Sequence, residues 1–265
     1  MAILLHNLEI VKVSGKDAFS FLQSQFTNDL RKLQKNQIQI NAFCQYQGKI
    51  NAIIWLFYLE DSLCICLPSI IKQIFLRDIS TYKFMADVVF EEVKHYSICG
   101  HIDEHNSSFY KLNEGLSISF SNKKNLPETG SLDYWEYQCI KRLLPEISTE
   151  TMGKFTPQDL NLDLNEIGVS FSKGCYPGQE IVARMHYLGK AKRRLYYFTS
   201  SVEAIIGDKL HVDRSSSLKH SGEVIRVVKH KNRYHFLATL EVKHQKDKIY
   251  LNQDSLNFIS IQNAQ

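Results

Sequence analysis

The chain has 265 residues, which is enough for one large domain or two smaller ones with a full hydrophobic core. Its hydrophobic and charged contents, 44% and 23%, are ordinary for a soluble globular protein, and no apolar run reaches the roughly 18 residues of a membrane-spanning helix. The net charge of +4, from 32 basic and 28 acidic residues, is smaller than the basic excess of a dedicated nucleic-acid-binding protein.

The first residues and the cysteines indicate the compartment. The stretch from Met1 to Asn7 has no basic region or cleavage pattern, so we expect no secretory signal. The six cysteines form no Cys-x-x-Cys pair, and only Cys64 and Cys66 lie close together in sequence. We therefore predict a reduced, cytoplasmic protein that has no disulfide framework and no self-contained metal site.

The N-terminal half predicts a mixture of strands and helices. Apolar runs with β-prone residues indicate strands, and apolar residues at helical spacing indicate helices. Gln47-Gly48 separates two of the strands and is typical of a hairpin turn. The predicted strands are 8–13, 38–46, 49–59, 63–67, 86–93, 96–102, 109–112 and 116–120, and the predicted helices are 17–29 and 68–82. We interpret the polar stretch 103–133 as turns between edge strands.

The C-terminal half begins with a predicted helix over 134–144, which Pro145 ends. A short helix is expected after Pro177, and from Leu195 onward helical periodicity almost disappears. Short β-prone runs then follow at 195–200, 209–213, 222–229, 233–242 and 256–261. Such a series predicts a small antiparallel barrel or sandwich.

Residues 172–184 read Ser-Lys-Gly-Cys-Tyr-Pro-Gly-Gln-Glu-Ile-Val-Ala-Arg and combine loop residues with a thiol. Pro177 suits the first position of the following helix. Cys175 would then precede a helix N-terminus, with Lys173 two residues away, and both features favour thiolate over thiol. The alternative is a small apolar side chain buried under a loop, a common location for cysteine. Spacing alone leaves both interpretations open.

Other candidate residues also have two interpretations. Trp135 could stack on a heteroaromatic ring or fill the core. Asn28 and Asp29 end the first helix in a polar cluster that is more often a cap than a ligand site. The run from Arg184 to Arg194 places six basic residues within eleven positions, as either a solvated face or an anion site. We find no Gly-x-Ser-x-Gly, phosphate-binding loop or His-Glu-x-x-His motif.

Several of these stretches share a family resemblance. The run from Lys173 to Glu180, followed by Ala183-Arg184, resembles the signature of the YgfZ family of folate-binding proteins. These proteins are related to the aminomethyltransferase (T-protein) of the glycine cleavage system and to a mitochondrial iron–sulfur assembly factor. Segments 14–29, 42–50 and 155–162 are similar to other parts of the same family.

The resemblance implies an α+β protein with the aminomethyltransferase-like folate-binding fold. It implies a folate-binding region over 1–190 and a C-terminal antiparallel β-barrel over 191–265. By resemblance, the protein binds tetrahydrofolate and supports the assembly or repair of iron–sulfur enzymes, including enzymes that modify tRNA. Iron–sulfur enzymes or assembly proteins would be its partners.

The same resemblance implies roles for individual residues. Cys175 would supply a thiolate for redox chemistry, transient cluster contact or a folate-derived one-carbon unit. The folate-binding candidates are Asn28, Asp29, Trp135, Gln179, Glu180 and Arg184. The family's first strand carries a tryptophan that is absent here, and Leu8 lies near its position.

Two alternatives belong to other functional classes. A folate-dependent aminomethyl- or methyltransferase is the first, and by resemblance to the aminomethyltransferase it would carry an acid or base at the start of the second helix. Residues 68–73 contain no carboxylate there, and the first is Asp78, well inside the helix. Aminomethyl transfer is therefore not expected. An RNA-binding module would use the basic run, with Cys175 in a structural role, and its binding should depend steeply on salt.

Overall fold

The computed structural model describes residues 2–122, 130–212, 220–252 and 258–262. These residues form two open antiparallel sheets, a closed barrel and four α-helices. The strands are β1 (Ala2–Leu4), β2 (Leu8–Ser14), β3 (Gln39–Cys44), β4 (Ile50–Leu59), β5 (Ser62–Pro68), β6 (Val89–Val93), β7 (Tyr96–Ile102), β8 (Tyr110–Asn113), β9 (Leu116–Asn122), β10 (Arg193–Ser200), β11 (Lys209–Val212), β12 (Gly222–His230), β13 (Arg233–Glu241), β14 (Ile249–Leu251) and β15 (Phe258–Gln262). The helices are α1 (Ala18–Gln25), α2 (Ser69–Ser80), α3 (Leu132–Lys141) and α4 (Gln179–Leu188).

The first sheet is covered on both faces. Its strand order is β3-β4-β5-β2-β6. Along β2, Ile10 faces one core, whereas Val11 and Val13 face another, because neighbouring side chains point to opposite faces of a strand. The helices α1 and α2 cover the second of these faces with side chains such as Phe21 and Phe75. Burial on both faces explains why β4 is an almost continuous apolar run.

The other face of this sheet packs against the second sheet, whose order is β1-β7-β9-β8. Helix α3 belongs to the same core through Trp135 and Cys139. The barrel strands contribute to it as well, through Leu195 and Leu237. The division of the chain at residue 190 therefore stays a prediction, because residues on both sides of it share one core.

The C-terminal strands close into a barrel in the order β10-β13-β12-β11-β14-β15, with β15 pairing back onto β10. Its interior is filled by apolar side chains, including Phe198 and Phe236, which stack with ring centroids 5.5 Å apart. Closure selects the barrel from the two architectures that the strand pattern allowed, and it removes the exposed strand edges. The predicted α+β fold with a C-terminal antiparallel barrel is confirmed.

Some predicted boundaries were wrong. Helix α1 ends at Gln25, not at residue 29, because Phe26 is extended and pairs with Phe43 of β3. Helix α3 begins at Leu132, two residues earlier than predicted, because Ser131 accepts a hydrogen bond from the backbone N–H of Tyr134. Among the described residues, none of the helices combines the length and apolar character needed to cross a bilayer.

Candidate functional site

The cysteine loop, residues 172–178, is fixed to the rest of the fold by Lys173. This side chain is only 5% exposed, and its ammonium donates to the carbonyl oxygens of Gln23 at 2.5 Å, Phe26 at 2.5 Å and Asn28 at 3.0 Å. Burial lowers the pKa of Lys173 to about 8. The sequence predicted a cation that favours the Cys175 thiolate, whereas the structure turns the ammonium toward the end of α1.

The other end of the loop packs against the turn between β3 and β4. Gly178 has φ +81°, and a Cβ at this position would lie 2.4 Å from the carbonyl oxygen of Gln45. Glycine is therefore required both for the left-handed conformation and for the close approach. Gly178 precedes the first residue of α4, Gln179, so the prediction that Pro177 occupies the first helical position was wrong.

Cys175 is exposed, and the other five cysteines are buried. Burial raises the pKa of Cys44 and of Cys139 to about 12 and that of Cys64 to about 11. It also raises the pKa values of Cys66 and Cys99. The buried alternative for Cys175 is thereby excluded, and the loop presents the one accessible thiol among the six cysteines.

Asn28 lies in a buried turn and its side chain is fully used within the protein. Its amide nitrogen donates to the carbonyl oxygens of Ile40 at 3.1 Å and Ile167 at 3.2 Å. Its side-chain oxygen accepts the backbone N–H of Asp29 at 2.9 Å. The side chain therefore joins β3 to residue 167 in the segment that leads to the cysteine loop.

Asp29 is 4% exposed and forms a two-pronged ion pair with Arg31, with contacts of 2.9 and 2.8 Å. Its carboxylate also accepts from Gln23 at 3.0 Å. These hydrogen bonds, those from Arg31 above all, lower the pKa of Asp29 to about 2. The contacts support the capping interpretation, and the predicted folate contacts of Asn28 and Asp29 stay predictions.

The turn that contains Asn28 and Asp29 borders a cavity. A cavity of about 560 Å³ opens between β3, the end of β8, the segment after α3 and residues 160–167. Its apolar lining residues are Leu33, Ile38, Ile40, Leu112, Leu143, Leu144, Pro145, Leu160, Leu162, Leu164 and Ile167, and its polar ones are Lys32, Gln37, Gln39, Asn113, Glu114, Arg142, Asn161 and Asn165. Its volume and mainly apolar lining are typical of a small-molecule site.

Two polar side chains at the cavity, Asn113 and Arg142, differ in their hydrogen bonding. The side-chain oxygen of Asn113 is buried and accepts no hydrogen bond from any described residue. Arg142, by contrast, donates to Asp103 at 2.9 Å and to the carbonyl oxygen of Glu114 at 3.0 Å. Rotation of the Asn113 side chain toward the cavity would offer this oxygen to a ligand with N–H groups.

The predicted site residues do not meet in this cavity, since none of the seven lines it. Trp135 is 1% exposed, and a Cβ on Gly100 would lie 2.5 Å from its ring, so the indole fills the core and has no open face for stacking. On α4, Arg184 and Glu180 are exposed, while Gln179 donates weakly to the carbonyl oxygen of Lys173 at 3.5 Å. The roles of Trp135, Gln179, Glu180 and Arg184 as folate ligands stay predictions.

The basic run does not form one uniform face. Arg194 turns inward and pairs with Asp163 at 2.5 and 3.0 Å, and Arg193 lies 3.5 Å from Glu241. Lys190 and Lys192 are exposed. Among the described residues, no three His, Cys, Asp or Glu side chains lie close enough together to hold a metal ion.

Sequence reasoning missed the cavity. Its lining comes from segments that are far apart in the chain, and Asn113 lies in the polar stretch that was interpreted as turns. The signal that could have identified this corner is Asn113-Glu114-Gly115, a tight turn with a glycine at φ +73°.

The chain is similar to known proteins over most of its length. No family model matches the chain. It is 31% identical over 238 residues to an uncharacterized protein of Haemophilus influenzae, a match that covers 85% of this chain and 84% of that protein. It is 26% identical over 266 residues to the tRNA-modifying protein YgfZ of Hamiltonella defensa, with 86% of this chain and 79% of that protein covered.

The solved structures add a match at the level of the fold. The glycine cleavage system aminomethyltransferase T of Bartonella henselae superposes with a TM-score of 0.72 and 10% sequence identity. The match covers 99% of this chain and 84% of that chain. At this identity the similarity shows the fold alone.

Proposed function

Since the chain belongs to the YgfZ family, we propose that it is a cytoplasmic folate-binding protein that supports the assembly or repair of iron–sulfur enzymes, including enzymes that modify tRNA. The observation that carries the proposal is the pairing of a ligand-sized, mainly apolar cavity with a single accessible thiol on a fixed loop. The thiol is the group that would act on the partner enzyme or its cluster.

The cavity fits a folate in both size and chemistry. Apolar walls suit the flat pteridine and aminobenzoate rings, and the unpaired oxygen of Asn113, once its side chain turns toward the cavity, would accept an N–H group of the pteridine. Lys32, whose side chain is 55% exposed at the cavity, would attract the glutamate carboxylates, although it also lies 3.3 Å from Glu166. Bound tetrahydrofolate would supply a carrier for one-carbon units.

Aminomethyl transfer is not proposed. Helix α2 begins at Ser69 without an acidic residue in its first turn. Lys72, the first charged side chain of this helix, is held 2.8 Å from Glu92 and in contact with Glu9. This region therefore lacks the free carboxylate that such a transferase would need. The RNA-binding alternative is weakened because Arg194 is committed to Asp163.

The proposal is tested by measuring tetrahydrofolate binding calorimetrically to the wild type and to Asn113→Ala. Loss of one hydrogen bond should weaken the affinity about two- to tenfold, without a change in folding because the oxygen has no partner among the residues that the structure describes. Asn7→Ala is the matched control, since the side-chain oxygen of Asn7 is also buried without a partner in the described part of the chain, but lies outside the cavity. No binding by the wild type, or equal loss in both variants, would contradict the folate site.

A further inference from the structure

Lys173 occupies the C-terminal end of α1. The three carbonyl oxygens that it contacts belong to Gln23, inside the helix, and to Phe26 and Asn28, just beyond it. The last carbonyls of a helix lack intrahelical partners and carry partial negative charge, so a cation satisfies them well. Hydrogen bonds from an ammonium are stronger than neutral ones, which makes this a firm attachment of the cysteine loop.

The turn that receives Lys173 also holds the cavity wall. The Asn28 side chain donates to the carbonyl oxygens of Ile40 and Ile167, and both of these residues line the cavity. Next to it, the Thr27 hydroxyl donates to the carbonyl oxygen of Gly168 at 2.6 Å, and the Thr27 carbonyl accepts the N–H of Ser170 at 3.0 Å. The segment from the cavity to the cysteine loop is thus attached to one turn along its length.

We infer that Lys173 is a positioning residue that joins the cysteine loop to the cavity wall through the Thr27–Asn28 turn, so that a change in the cavity alters the presentation of Cys175. The inference rests on the proposed function only for the identity of the cavity ligand. It gives the lysine of the motif a task other than lowering the pKa of the neighbouring thiol. A lysine with a purely structural role would stabilise the fold without linking the cysteine loop to the cavity wall.

A double-mutant cycle tests the link without any ligand. The variants are Lys173→Met, Asn28→Ala and the double variant, and the measurement is the rate of Cys175 alkylation by iodoacetamide under native conditions. Asn28→Ala removes the contacts to the cavity wall but keeps the backbone oxygen that Lys173 uses. We expect Asn28→Ala to change the rate about fivefold or more in the wild-type background and not in the Lys173→Met background.

Two controls separate positioning from general destabilisation. Lys72→Met removes an equally buried lysine, 7% exposed, that pairs with Glu9 and Glu92 and does not contact the loop. It should leave the alkylation rate unchanged when each variant is measured at the same interval below its melting temperature. Lys173→Arg keeps the charge and should restore most of the wild-type rate. If Lys173→Met does not fold, the same cycle is run with Lys173→Gln, which removes the positive charge from the end of α1.

The ligand arm uses tetrahydrofolate at a concentration that calorimetry shows to be saturating. Folate should change the alkylation rate in the wild type and in Lys72→Met, but not in Lys173→Met. Equal effects of Asn28→Ala in both backgrounds, or a folate effect that survives in Lys173→Met, would overturn the inference. If the wild type binds no folate, the proposed function fails, and the double-mutant cycle still decides the inference.

Discussion

At the residue scale, Cys175 differs from every other cysteine of the chain in being exposed. Native protein treated with iodoacetamide at pH 7 should therefore gain one adduct, on Cys175, before any other cysteine reacts. The buried thiols are protected both by lack of access and by raised pKa values, since the thiolate is the reactive form. Peptide mass spectrometry identifies the modified residue.

The same residue connects reactivity to function. Cys175→Ser should leave the melting temperature and folate affinity nearly unchanged, because an exposed loop side chain contributes little packing. By the proposed function, it should fail to restore iron–sulfur enzyme activity in cells that lack the native protein. Cys99→Ser, at a buried cysteine, is the comparison that should complement if it folds. Full complementation by Cys175→Ser would assign the loop a structural role.

Asp29 provides a pH test of the turn beside the cavity. Its pKa is about 2 in the folded protein against 3.8 for the free group, so its contribution to stability is complete above pH 4 and disappears as the pH falls toward 2. We expect roughly 1 kcal/mol from this group, a value reduced because Arg31 is exposed to solvent. Asp29→Asn should remove this part of the acid sensitivity in urea-unfolding curves measured between pH 5 and 2.

Asp61→Asn is the control for that experiment. Asp61 also pairs with a cation, Lys35, but both side chains are more than four-fifths exposed, at 84% and 81%. Its removal should change the pH profile much less than Asp29→Asn does. An identical profile for the two variants would mean that burial of the Asp29 carboxylate gives no additional acid stability.

The hydrogen-bond partners of individual side chains were the hardest feature to predict. The cysteine loop could be recognised from its residue types, but the partners of Lys173 are 145 to 150 positions away in the chain. The sequence neighbourhood suggested that the lysine would act on Cys175. Tertiary contacts instead direct it into the end of α1, because buried ammonium groups require acceptors and the helix end supplies three of them.

At the scale of elements, helix α3 is positioned by the packing of Trp135 against Gly100 of β7. A Cβ at Gly100 would lie 2.5 Å from the indole ring. The glycine in the strand is therefore explained by the close approach of a large side chain, as is common for glycine inside sheets. The periodicity of α3 predicted a helix, but only the facing strand reveals that its tryptophan belongs to the core.

Gly100→Ala should destabilise the protein by about 1–3 kcal/mol, because the core must move to admit one methyl group. The free energy of unfolding, measured by urea titration, reports this change. Gly174→Ala is the matched control, since a Cβ there meets no atom of the described residues within 4 Å. Its effect should stay within about 0.5 kcal/mol. Equal effects would mean that the indole is not tightly packed against β7.

Element prediction succeeded for the long runs and failed for the two shortest strands. The ten-residue strand β4 and the nine-residue strands β12 and β13 are clear from their apolar pattern. The strands β1 and β14 have only three residues each and were not predicted. Pairing with β7 and β11 defines them, and so short a run has no periodicity of its own.

At the scale of the whole molecule, the fold class was accessible from the sequence and the cavity was not. The order of strands and helices, together with the family resemblance, was enough for the α+β fold and its barrel. The cavity requires the relative placement of β3, the end of β8, the segment after α3 and residues 160–167. Only tertiary packing specifies that placement, which explains why candidates chosen from motifs do not line it.

The barrel is joined to the rest of the molecule by Arg226 of β12. This side chain is 4% exposed and lies 2.7 Å from a carboxylate oxygen of Glu136 on α3. Another guanidinium nitrogen donates at 3.0 Å to the carbonyl oxygen of Leu144, which lines the cavity. One arginine thus links the barrel, α3 and the cavity wall.

Arg226→Ala should destabilise the protein by about 3–5 kcal/mol, because it leaves the Glu136 carboxylate and the Leu144 carbonyl without a partner in a largely buried place. Arg193→Ala removes a barrel arginine whose ion pair with Glu241 is partly exposed, and it should cost only about 0–1 kcal/mol. Urea unfolding followed by far-UV circular dichroism measures both. Equal small losses would show that the barrel is held by apolar packing alone, with Arg226 contributing no more than a surface pair.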